Sequence, residues 1–79
     1  MKVTEADLKA LLQAGAGARL VMEEGHLAVL PPAELPRHEG ALTVVEREAL
    51  QQRVGAAPDD HALAEQAAIL STEIDTLGA

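Results

Sequence analysis

The chain contains no cysteine and no phenylalanine, tyrosine or tryptophan. The first absence excludes disulfide bonds and thiol chemistry. The second removes the largest single sources of buried area, so the core has to be built from Leu, Val and Ile with Met22. Hydrophobic residues make up 48% of the sequence, but many of them are alanine. In 79 residues, enough for one domain, that core is thin. Small scaffolds with thin cores are stapled by a disulfide, a metal or a second subunit. With disulfides excluded and no metal motif in view, a second subunit is the expected staple.

Basic residues are scarce as well: 6 Lys and Arg stand against 13 Asp and Glu, for a net charge of −7. Direct nucleic-acid binding draws most of its affinity from Lys and Arg on phosphates, and stacking on single strands needs aromatic rings; neither is expected here. The acidity serves solubility, or it presents an acidic face to a basic partner. No apolar run approaches the roughly 20 residues of a membrane span. The opening Met1-Lys2-Val3-Thr4-Glu5 also lacks the apolar stretch of a secretory leader. A cytoplasmic protein with no membrane partner is the expectation.

Hydrophobic spacing divides the chain into an α-β-β-α-α order, a small α+β domain spanning residues 1–79 with a two-stranded antiparallel hairpin packed on helices. Thr4 and Asp7 form a capping box ahead of Leu8, Leu11 and Leu12, and Gly15 and Gly17 close a helix over residues 5–14. Residues 19–30 read as a hairpin turning at Glu24-Gly25. Its register sets Met22 against Leu27 and Leu20 against Val29 on one apolar face. The other face carries Arg19, Val21, Glu23, His26, Ala28 and Leu30, a mixed set open to solvent or to a partner. Pro31 and Pro32 end the second strand, and residues 31–42 read as a loop. Thr43 and Glu46 have capping-box spacing, which predicts a helix over 44–54 stopped by Gly55. Pro58-Asp59-Asp60 opens a last helix over 59–77. Its stripe of Leu63, Ala67, Leu70, Ile74 and Leu77 has coiled-coil rhythm. That stripe serves either the core or a dimer seam, and Ile69 lies beside it.

Catalytic chemistry finds little purchase. His26, His38 and His61 form no pair at the i, i+4 spacing of a helical metal site, which leaves only a site assembled from three distant histidines. Ser71 is the only serine and falls inside the last helix, with no strand-turn-helix elbow around it. The carboxylate pairs Glu23/Glu24, Glu46/Glu48 and Asp59/Asp60 need a desolvated pocket to act as acid and base, and a thin aliphatic core offers little room for one. The glycines at 15 and 17 follow a helix, whereas a phosphate cradle precedes one. No enzyme activity, metal or cofactor is expected.

The Leu-rich first helix, the glycine after it, the hairpin around Gly25, Pro31 and then Gly40-Ala41-Leu42-Thr43 follow one another in a familiar order. Over about Leu8 to Val54 the chain resembles the N-terminal docking domain of the TubC type, found on nonribosomal peptide synthetase and hybrid synthase subunits. It departs from that family in the longer link Pro32–Glu39 and in a hairpin without an aromatic residue. The resemblance implies a homodimer that captures an acidic or mixed linear peptide on the hairpin, with Arg19, Val21, Glu23, His26 and Ala28 as contacts. It also implies that Thr43 opens a helix.

A non-catalytic docking module that self-associates and binds another protein or peptide is therefore the leading expectation. The alternative is a small acidic inhibitor of phage or plasmid type. Such a protein would block a nucleic-acid-binding machine through the acidic surface of Glu46, Glu48, Asp59 and Asp60.

Overall fold

The computed structural model describes residues 2–55 and 57–76. It is an α+β fold in the order α1 (Glu5–Gln13), β1 (Arg19–Glu23), β2 (His26–Leu30), a 3₁₀ helix (Pro32–Arg37), β3 (Leu42–Glu46), α2 (Arg47–Val54) and α3 (Asp60–Thr76). Helix α1 begins as its sequence dictates. The Thr4 hydroxyl accepts the Asp7 N–H, and the Asp7 carboxylate accepts the Thr4 N–H at 2.9 Å. Its last turn has no basic residue of its own. The Arg47 guanidinium donates to the Leu12 carbonyl at 2.9 Å instead, placing a cation at the negative end of the helix.

The hairpin register is the one its alternation predicts: Leu20 opposes Val29 and Met22 opposes Leu27. Both turn residues, Glu24 at φ 51° and Gly25 at φ 79°, are left-handed. That is the requirement of the tight hairpin turn whose twist matches the strands.

The hairpin is not the whole sheet. Residues 42–46, expected to end a loop and begin a helix, form a third strand, giving the order β2-β1-β3 with β1 central. Leu20 pairs with Val45 and Val21 with Thr43, so Val44 is the extra residue of a β-bulge. Two physical effects override the capping-box reading. Thr43, Val44 and Val45 are β-branched, costly in a helix and favoured on a pleated sheet. The second edge of β1 would otherwise leave its polar groups unpaired. Thr43 therefore caps nothing, and α2 starts at Arg47 with no side-chain cap at Glu46.

Strands β2 and β3 both run antiparallel to β1, so they are parallel to each other and need a crossover connection. Residues 31–41 of the expected loop 31–42 are that crossover, and much of it is the 3₁₀ helix. It is held at both ends. A Cβ on Gly17 would lie a tight 3.0 Å from Pro32 Cγ, and at φ 81° a side chain would also strain the backbone, so glycine suits this close approach. At the far end, His38 Nδ1 lies 2.8 Å from Glu23 Oε1.

Helices cover the other face of the sheet. Leu8 and Leu11 from α1, Leu20, Val45 and Leu50 form one core with Leu63, Ala67, Leu70 and Ile74 of α3. The α3 stripe is spent inside the chain: all four of these residues are buried. It packs chiefly on α1, so of the two readings these four positions take the core. Leu77, the fifth, lies outside the described residues. Asp59 caps α3 by accepting the Ala62 N–H at 2.8 Å, and Lys9 bonds Asp60 at 2.8 Å. That hydrogen bond, with the charge behind it, holds the Lys9 ammonium above its ordinary value.

Candidate docking surface

The crossover changes what the sheet's second face can offer. Arg19, Val21 and Glu23 point away from the helices, as alternation requires, but they are not free. Val21 is 1% exposed, although it lies outside the main core cluster. Glu23 is bonded to His38 of the crossover. Arg19 lies 3.2 Å from Glu46 across the β1–β3 pair. All three therefore have cover or partners within the chain: a crossover between parallel strands must pass over the strand between them, and it takes this face of β1. His26 and Ala28, the other two expected contacts, are exposed on β2. His38 is half-buried, whereas His26 and His61 are exposed.

The open surface is the outer edge of β2. A two-residue turn is closed by a pair that exchanges hydrogen bonds, here Glu23 and His26. The alternation of antiparallel pairing then aims the polar backbone of His26, Ala28 and Leu30 at β1. The N–H and C=O of Leu27 and Val29 face outward. No described strand pairs with that edge. The bond from the Arg47 N–H to the Ala18 carbonyl at 2.9 Å confirms the phase on the other side, since it turns Ala18, and with it Leu20 and Met22, toward β3. Natural edge strands are blunted by Lys, by Pro or by a bulge. Strand β2, His26-Leu27-Ala28-Val29-Leu30, has none of these. The side chains expected as contacts lie on a face of the hairpin, whereas the unpaired backbone lies along this edge.

The acidic surface proposed for an inhibitor is largely committed within the chain. Glu46 pairs with Arg19, Asp60 with Lys9, and Asp59 caps α3. Glu48 accepts the Gly17 N–H at 3.0 Å and lies 3.4 Å from Arg47. The Gly17 hydrogen bond, and then Arg47, hold its carboxyl below the ordinary glutamate value.

Ser71 is a staple. Its hydroxyl accepts the Val3 N–H at 2.8 Å and donates to the Ala67 carbonyl at 2.8 Å, tying the start of the chain to α3. Beside it, an open groove of about 780 Å³ runs between residues 2–5 and α3, and Ala64, Ala67 and Ala68 form much of its floor. No group of three or more His, Asp or Glu among the described residues is placed to hold a metal ion. No helix among them is long and apolar enough to cross a membrane. Comparison with protein families, with curated proteins and with solved structures finds no match to this chain.

Proposed function

We propose that the chain is a non-catalytic docking module of the cytoplasm that takes an extended segment of a partner protein along the outer edge of β2. One observation carries this reading. The edge presents the outward N–H and C=O of Leu27 and Val29 on a five-residue strand without charge, proline or bulge. Such an edge is a template for strand addition, in which backbone hydrogen bonds supply affinity. The TubC-type resemblance supports the same mode of capture, although the family's helix start at Thr43 is a strand here. The acidic-inhibitor reading gains nothing from the structure, because its carboxylates already bond within the chain.

The test is capture of a partner on the immobilised chain, compared with Leu27→Pro. That substitution deletes one outward N–H and leaves the β1–β2 hydrogen bonds in place. Capture by the parent and loss of capture by a folded Leu27→Pro supports the proposal. Undiminished capture by Leu27→Pro refutes it.

A further inference from the structure

The three strands stack their helix-side residues into cross-strand rows, and the two rows differ. Val29, Leu20 and Val45 form the first, at the centre of the core; Leu20 and Val45 are buried. Leu27, Met22 and Leu42 form the second, at the turn end of the sheet. This second row is incompletely covered. Met22 and Leu27 are half-buried, and Leu42 is 59% exposed. Only Leu42 and Ile69 are large, apolar and exposed among the described residues. At about 4.8 Å between strands, the row makes an apolar bar roughly 10 Å across.

The charges at this end of the sheet that lack an ion-pair partner among the described residues are acidic. Glu24 occupies the hairpin turn, and Glu39 lies in the turn that delivers the chain to Leu42. Neither has an ion-pair partner among the described residues, whereas Glu23 is already bonded to His38. No Lys or Arg occurs from Leu20 to Pro36, and Arg37 lies 4.0 Å from Glu34. A second copy of the chain would bring the same acids to the same place, in a protein of net charge −7.

From this geometry we infer that the Leu27–Met22–Leu42 row is the anchor site for the docked partner. The partner segment places a large aliphatic side chain against the row and basic residues beside Glu24 and Glu39. This inference rests on the docking reading and specifies the partner's chemistry: a basic, aliphatic segment, not a second copy. Apolar contact at the row supplies affinity, and the acids supply orientation and exclude acidic competitors.

The probe is a fluorescein-labelled peptide alternating leucine and lysine. It is titrated alongside a serine-for-leucine version and a glutamate-for-lysine version. The parent chain should bind only the leucine–lysine peptide saturably. Leu42→Ser, at a position exposed enough to leave the fold intact, should weaken binding by about tenfold. Glu24→Lys combined with Glu39→Lys should weaken it at least as much, and melting curves verify that both variants are folded. Equal affinity of Leu42→Ser and the parent overturns the anchor site while leaving edge pairing untouched, because the backbone of Leu27 and Val29 is unchanged. A parent chain that ignores the leucine–lysine peptide also overturns it. Failure of edge pairing itself is read separately, from the Leu27→Pro comparison.

Discussion

Glu23 and His38 are joined by a contact of 2.8 Å that ties the crossover to the central strand, and it explains why a face that alternation turns outward is closed. His38→Ala should loosen the crossover over Val21 and lower stability. Both side chains are about one-third exposed, so the loss should fall near the low end of the roughly 0.5–1.5 kcal/mol of a typical hydrogen bond. Denaturant unfolding measures it. No change would mean that Pro32 and the packing of the crossover hold this face without the latch.

Leu70 is fully buried, so its replacement should act on folding. Leu70→Ala should cost about 2–5 kcal/mol, a large share of the roughly 5–15 kcal/mol available to a domain, and Leu70→Asp should not fold. Ile69→Asp, at an exposed position, should fold normally. The dimer-seam alternative has a different signature: a well-folded Leu70→Asp monomer and a parent melting temperature that rises with protein concentration.

Glu24 is the one described non-glycine residue at positive φ. Asparagine tolerates that region better than glutamate, so Glu24→Asn should raise stability by about 0.5–1 kcal/mol. A lower melting temperature would show that the glutamate side chain contributes more than its backbone costs.

Glu48 has its folded-state pKa lowered by the Gly17 N–H and Arg47. A group depressed on folding contributes stability above its unfolded pKa and loses it as pH falls through the folded value. Glu48→Gln should therefore be less stable than the parent at neutral pH. The gap should close as pH falls below the ordinary glutamate value of 4.5. A gap that stays constant into acid would mean that the carboxylate charge is not what holds Gly17.

The parts of this fold readable from sequence are those set by local rules. The Thr4 capping box, the glycine exits and the hairpin register each follow from residues close together in the chain. Strand β3 was hidden because Thr43 and Glu46 have the spacing of a cap, although the β-branched run Thr43-Val44-Val45 was the signal against it. The α3 stripe was visible, but spacing alone does not separate a core from a seam; the position of α1 does. The intrachain partners of the hairpin's outward face were hidden for the same reason. Arg19 and Glu23 are charged residues whose partners, Glu46 and His38, are distant in sequence, and the crossover that brings His38 over the sheet carries no periodic pattern. Ser71 gave no sign of its role, since its partner Val3 is 68 positions away.

Amide hydrogen exchange at β2 tests the central claim most directly. In the free chain, the amides of Ala28 and Leu30 should be protected, while those of Leu27 and Val29 exchange quickly because they face outward. In complex with the captured partner, Leu27 and Val29 should become protected as a strand adds to the edge. Protection of those two amides already present in the dilute free chain would contradict the account. So would exchange at β2 unaltered by the partner while residues 46–60 respond instead.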